Sequence, residues 1–205
     1  QSMNDEVLAA NDRGHTAKDV RRASALIKQS GIKLGLQMMT GLYKDTPERC
    51  LETADEFIKL APKTVRIYPT VILKNTRLGE LFECGKYRSF SFEETVDLCA
   101  GLLQKFLCSG IKVIRLGLHA SPDVEREMLG GVYHPALREI VESRIFLNDM
   151  KSRLAELEKG HHLIYTDPKN ISKAIGQKKC NVKALAELGY EIDILPLDGE
   201  YLLIK

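Results

Sequence analysis

The sequence contains no tryptophan, and only seven of its 205 residues are proline. No apolar run approaches the ~18 residues of a membrane-spanning helix. Nothing in it reads as a secretory h-region, so a cytoplasmic chain without a membrane partner is expected. Neither sign of charge is in excess: 30 Lys and Arg against 28 Asp and Glu leave a net charge of +2. Any nucleic-acid surface therefore has to be local. The five cysteines (Cys50, Cys84, Cys99, Cys108 and Cys180) never fall at CxxC spacing. This argues against a disulfide framework or a zinc site and leaves neutral thiols in a reducing compartment. No three of them are close enough in sequence to form a cluster-binding loop, and no metal site is expected.

What is present is the composition of a folded globule, 44% hydrophobic and 28% charged, long enough for one large domain or two small ones. Residues 16–30 place Val20, Ala23, Leu26 and Ile27 at helical spacing behind an N-cap at Thr16, and Gly31 ends the helix. IKLGLQMM (32–39) reads as a buried strand. A second helix over 45–61 has Thr46 as cap, Pro47 in its first turn and an apolar stripe of Leu51, Ala54, Phe57 and Ile58. Pro62 stops it, and TVRIYPTVI (64–72) is the next strand. Ser91 and Glu94 form a capping box for a helix that runs to Gly110, and IKVIRLGLH (111–119) is a third strand. Helices alternating with strands across short connections predict βαβ units with a parallel sheet.

Beyond residue 120 the pattern changes. Residues 130–160 hold one or two helices starting near His134 and Pro135, HHLIYT (161–166) is a short strand, and 167–189 reads as helix, tight glycine turn, helix. YEIDIL and YLLIK are expected to pair as closing strands around Asp198 and Gly199. A boundary near 150 separates a larger α/β part (1–150) from a compact α+β module (151–205).

Three stretches carry candidate chemistry. In QSMNDEVLAANDRGHT (1–16), Arg13 and His15 sit on a short loop before a helix. The loop is either a surface turn with Gly14 at positive φ or a place where Arg13 pairs with a carboxylate or phosphate. In LGLQMMTGLYKDT (34–46), Gln37 is a lone amide within a Leu and Met strand, pointing to a ligand or to a neighbouring strand. In RIYPTVILKNTRLGELFECGKYRSFS (66–91), a strand and Tyr-Pro lead into a long polar loop. Tyr68, Lys74 and Arg77 either face a substrate there or decorate a surface excursion. His134, His161 and His162 lack a partner at metal-ligand spacing and are assigned structural roles.

These stretches, with VYHPALREIVESR, in this order and at these distances, closely resemble radical S-adenosylmethionine (SAM) enzymes. The nearest branch is the Elongator catalytic subunit and its bacterial relatives without an acetyltransferase domain, with a looser likeness to the oxygen-independent coproporphyrinogen oxidases. The resemblance covers residues 1 to about 146. It implies the C-terminal half of a partial (β/α)6 TIM-like barrel, with QSMN at the end of the fourth strand. By the same resemblance Gln1 and Arg13 would contact the SAM ribose and methionine carboxylate, Gln37 the adenosine, and Tyr68 and Pro69 the adenine. The intact parent would use SAM and a [4Fe-4S] cluster. The 205 residues contain no CxxxCxxC and lack the three earlier strands. The fragment alone is therefore expected to hold neither cofactor stably and to be inactive.

DPKNISKAIGQKKCNVKALAELGYEIDIL (167–195) resembles a KH domain of the NusA type. In KH modules a GxxG loop between two helices clamps single-stranded RNA. Here the loop reads Gly176, Gln177, Lys178, Lys179, with Lys in place of the second Gly. Lys173, Lys178, Lys179 and Lys183 lie in a stretch without an acid, a footprint suited to phosphate. The leading expectation is part of an Elongator-like radical SAM enzyme that modifies an RNA base in tRNA, with a KH-like RNA-binding tail. The alternatives are a non-catalytic RNA-binding protein and a radical SAM oxidoreductase acting on a small molecule. Exposed barrel edges would favour self-association.

Overall fold

A computed structural model describes residues 1–204, which divide into two compact units, Gln1–Leu137 and Arg138 onward. The first unit begins with helix α1 (Asp5–Ala10) and helix α2 (Ala17–Gln29), followed by strand β1 (Gly35–Thr40), helix α3 (Pro47–Lys59) and strand β2 (Thr64–Pro69). Strand β3 (Val71–Leu73) and helix α4 (Arg77–Glu83) come next. Helix α5 (Phe92–Cys108), strand β4 (Lys112–Leu116), helix α6 (Pro122–Glu127) and strand β5 (Met128–Gly131) complete it. The helix starts are set by side-chain caps. Thr16 and Asp19 close a reciprocal capping box on α2, as do Ser91 and Glu94 on α5, and Thr46 accepts from the Arg49 N–H with Pro47 in the first turn of α3.

Strands β1, β2 and β4 form a parallel sheet in the order β1-β2-β4. Their alternation buries Met38, Val65, Ile67, Val113 and Leu116 in a core that includes Ala54 and Phe57 of α3 and Leu102 and Phe106 of α5. Gln37, Arg66, Tyr68 and Met39 alternate onto the other face, where Gln37 and Arg66 are exposed. The single strand expected over 64–72 divides at Thr70. Its second part, β3, pairs antiparallel with β5, a strand with no β-branched run to announce it.

The apolar stripe expected on α2 is not buried. Leu26 is 57% exposed and Ile27 36%, while Ala17 and Ser24 are the residues turned inward. Strand β1 is the edge of its sheet, and Leu26 and Ile27 stand on the exposed side of α2.

The second unit contains most of helix α7 (Leu137–Leu154), strand β6 (Gly160–Thr166), helix α8 (Ile171–Ile175), helix α9 (Cys180–Ala186), strand β7 (Tyr190–Pro196) and strand β8 (Leu203–Ile204). The boundary expected near residue 150 falls inside α7. Phe146, Leu147, Met150 and Leu154 from that helix share one core with Ile164, Ala174, Leu185, Tyr190 and Leu202. β6 and β7 run parallel, joined through α8 and α9, and β8 pairs antiparallel with β6 on its other side.

YEIDIL and YLLIK therefore do not pair with each other, contrary to expectation; of the latter, Lys205 lies outside the described residues. The chain is led across the end of β6 instead. Leu197 N–H donates to Thr166 O, Asp167 N–H to Glu200 O, and the Thr166 hydroxyl to Tyr201 O at 2.5 Å.

Asn181 anchors this unit. It is 2% exposed, and its amide nitrogen lies 3.0–3.1 Å from four acceptors: Ser143 O, Ser143 Oγ, Lys173 O and Ala174 O. It thereby satisfies the end of α8 and ties it to α7. Replacing Asn181 with Ala removes both amide N–H donors from this buried cluster of acceptors. It should lower stability by about 2–3 kcal/mol, read as a shift in the urea midpoint at unchanged m-value.

Candidate functional site

Of the expected SAM residues, Gln1, Arg13 and Tyr68 lie near the C-terminal ends of β1 and β2, the edge at which α/β sheets place their ligands, whereas Gln37 is set back in the middle of β1. Gln1 lies alongside β1, its carbonyl accepting from Met39 N–H at 2.9 Å. Arg13 reaches the same residue, with Nη2 3.5 Å from Met39 Sδ. Gln37 and Tyr68 stand on the open face of the sheet, where Tyr68 is the direct neighbour of Met39. Pro69 alternates onto the buried face beside Thr40, so it is not brought together with Tyr68.

A cleft of about 240 Å³ opens at this edge, lined among others by Arg13, Met39, Tyr43, Thr70 and Arg77. Two of its polar atoms, Arg13 Nε and Thr70 Oγ1, are closed off from solvent and have no hydrogen-bond partner. Buried donors without partners are rare, and these two belong to residues of one cleft. His15 holds the Arg13 loop through its ring nitrogen, 2.9 Å from Arg13 O. Gly14 has φ +67°, the turn conformation expected of it. Lys74 stands in the turn between β3 and α4, its backbone N–H donating to Glu127 O. Arg77 approaches Asp12 at 3.9 Å with both side chains largely exposed, an ion pair of small weight.

Two residues that build this cleft were not singled out from the sequence. Asn11, at the end of α1, donates to Val7 O and Tyr43 O and accepts from Tyr43 N–H, tying the Arg13 loop to the segment after β1. Asp45 accepts from Gly41 N–H, Thr46 N–H and the Cys50 thiol. Burial raises the Asp45 carboxyl above its ordinary value in spite of these donors. Tyr87 completes the arrangement, donating to Gly41 O at 2.5 Å, and burial pushes its hydroxyl up to about 12. Helix-terminal Asn and turn-forming Asp are common enough that neither stands out in a sequence.

The residues expected on RNA occupy the turn between α8 and α9. Gly176 has φ +76° and ψ 161°, and Lys178 and Lys179 both adopt left-handed backbone angles, φ 51° and 61°. Such angles in two consecutive non-glycine residues store strain of about 1–3 kcal/mol each. Gln177, Lys178, Lys179 and Lys183 are exposed, and the three lysines join no ion pair among the described residues. Lys173 differs: its ammonium is 2.8 Å from Glu142, which also receives Arg138. Burial works against the Glu142 charge, yet Lys173 and Arg138 hold its carboxyl below the ordinary value. Lys173 is thus engaged within the unit.

The cysteines do not assemble. Cys50 and Cys99 are buried, and Cys84, Cys108 and Cys180 are exposed. Desolvation pushes the Cys99 thiol up to about 12 and raises Cys50 further, which keeps both protonated. Among the described residues no three His, Cys, Asp or Glu side chains are grouped to hold a metal. No helix is long and apolar enough to cross a membrane. His161 pairs with Asp193 at 2.9 Å, His162 with Glu158 O, and His134 accepts from Ala136 N–H.

Residues 62–146 match the family model described as the Radical_SAM C-terminal domain. The chain is similar to Elongator proteins over part of their length. It is 31% identical over 173 residues to human Elongator complex protein 3, covering 80% of this chain and 31% of that protein. It is 24% identical over 168 residues to the tRNA uridine(34) acetyltransferase of Methanocaldococcus jannaschii, covering 80% and 30%. In fold it resembles the archaeal Elp3 of Methanocaldococcus infernus lacking residues 1–46. The TM-score is 0.63 at 22% identity, over 76% of this chain and 35% of that one. The chain thus spans about 31% of the length of the human relative.

The loop at Gly176 has a sharp steric requirement. A Cβ added there would lie 2.5 Å from Cys180 Sγ and 3.0 Å from Asn181 Cγ, on a backbone that side chains rarely adopt. Gly176→Ala should therefore displace the loop and lower the thermal midpoint, whereas Gly199→Ala, with open space around its Cβ, should cost only its backbone strain. Thermal melts of the two variants side by side check this.

Proposed function

We propose that this chain is the cofactor-cleft half of a radical SAM barrel joined to a KH-like RNA-binding module, and that the intact parent modifies a tRNA base. The unit through Leu137 supplies the barrel portion and the unit from Arg138 onward the KH-like module. The observation that carries the reading is the pair of unpartnered buried polar atoms, Arg13 Nε and Thr70 Oγ1, at the strand-end cleft of a chain with a radical SAM C-terminal domain.

The residues present fit part of SAM. Arg13 offers a guanidinium for the methionine carboxylate, and Gln1 and Gln37 offer amide groups for the ribose and adenosine. Tyr68 gives a ring beside the adenine, with Pro69 supporting the strand end from below. Bound there, SAM would supply the radical source of the parent's reaction. This chain's own part is to bind and orient the nucleoside at the strand ends and to present RNA to it. The residues do not fit a [4Fe-4S] cluster, because the cysteines are dispersed and the two buried ones stay protonated. Anaerobic treatment of the 205-residue chain with iron and sulfide should leave it without stoichiometric cluster, by iron analysis and by absorbance. Recovery of a full [4Fe-4S] complement would overturn this account.

RNA is assigned to the Gly176 loop, with Gln177, Lys178, Lys179 and Lys183 as its contacts and Lys173 acting through Glu142. The reading places the protein in the cytoplasm, with the free edge of β1 as the route to self-association. Filter binding of short single-stranded RNA over a salt series tests the loop. Exchanging Lys178 and Lys179 together for Ala should weaken binding and make the log–log salt slope shallower by about 1.4, at about 0.7 per phosphate contact on single strands. An unchanged affinity and slope would remove RNA from this module and favour a small-molecule substrate.

A further inference from the structure

The open face of the parallel sheet carries a charge arrangement that the SAM cleft does not account for. Strands β1, β2 and β4 together contain Arg66, Lys112 and Arg115 and no Asp or Glu. Gln37 is the direct partner of Arg66 across β1 and β2, and Arg66 is the direct partner of Arg115 across β2 and β4.

The second pairing depends on an irregularity. Val65 faces Val113 and Ile67 faces Leu116, so one residue of β2 is matched by two of β4. In regular register Arg66 would face Ile114, and Arg115 would face buried Ile67. The extra residue brings a second guanidinium beside the first. Bulges re-aim side chains in this way beside functional sites.

Like charges directly opposed on neighbouring strands repel, and no ion pair joins Arg66 or Arg115 to a carboxylate among the described residues. Arg115 Nε donates to Gly117 O at 3.1 Å, which turns the guanidinium towards the C-terminal edge of the sheet. The Met39–Tyr68 pair lies between the Gln37–Arg66 pair and that edge. Two guanidinium forks on directly paired residues of neighbouring strands match a tetrahedral oxyanion.

We propose that Arg66 and Arg115 form a phosphate cradle that grips a phosphodiester of the RNA substrate next to the strand-end cleft. The cradle neutralises its own repulsion when the phosphate is bound. This rests on the reading of the strand ends as a reaction cleft for RNA. The two fail separately, because the loop is tested by RNA filter binding and the cradle by a small anion.

The test is calorimetric titration of the 205-residue chain with inorganic pyrophosphate, with citrate as a carboxylate of comparable charge and the dinucleotide UpU as competitor. Pyrophosphate should bind, and Arg66→Gln or Arg115→Gln should each weaken it about tenfold, the loss expected for a charged hydrogen bond. Arg22→Gln, on exposed α2 and paired only with Asp19, should change nothing. UpU should displace pyrophosphate. Thermal midpoints at or above that of the parent chain in the two cradle variants show that they fold. Absence of pyrophosphate binding, full binding by the double variant, citrate binding as tightly as pyrophosphate, or failure of UpU to compete would each overturn the proposal.

Discussion

The first unit depends on one constraint, the one-sided burial of its parallel sheet. Parallel sheets ordinarily bury both faces. In this one, helices α3 and α5 cover a single face, and the alternation of β1, β2 and β4 delivers every large aliphatic side chain to it except Ile114 and Met39. Period two then decides the rest. Whatever is not needed for the core is turned to the opposite face, and there the strands carry Gln37, Arg66, Tyr68 and Arg115. Core and candidate site are two readings of one alternation. A register slip of one residue would bury arginines and expose Met38 and Ile67 together.

The second unit is held differently, by a buried amide where helix ends meet. Asn181 draws on acceptors from α7 and α8, and Gly176 leaves room for it because a Cβ there would press on Asn181 itself. Strain in the loop follows from that anchoring. With Gly176 and Asn181 fixed at its two ends, the chain between them turns through left-handed angles at Lys178 and Lys179. The cost is offset by the burial of Ala174 and Leu185 in the helices on either side. The two lysines are thereby projected outward on a stiff turn, an arrangement suited to a phosphate chain.

Much of the fold was legible because caps and periodicity are local. Thr16 with Asp19, Thr46 with Pro47, and Ser91 with Glu94 mark helix starts within one turn of sequence, and the structure closes each of them. What could not be read depended on partners distant in the chain. Leu26 and Ile27 have the spacing of a core stripe, yet spacing cannot tell whether a layer will cover it. YEIDIL and YLLIK look like a hairpin because an Asp-Gly turn separates them. Their pairing was decided by Thr166 and Asp167, which capture the connecting chain and carry it past β6. β5, built on Met-Leu-Gly-Gly, has no strand signature and exists because β3 offers it an edge.

The same distinction applies to the candidate site. Arg13 and Gln37 stood out as polar residues in apolar company, a signal that needs no partner. Arg115 did not, since KVIRL read as a regular strand puts Val113 and Arg115 on one face and assigns Leu116 to the other. Burial of both Val113 and Leu116, 2% and 4% exposed, is incompatible with that alternation and requires one extra residue between them. The hydrophobic demand of the core thus creates the bulge. The bulge in turn moves Arg115 from the buried side to the open one, beside Arg66. An apolar spacing of three within a strand was the available sign, and its consequence was the position of a charge.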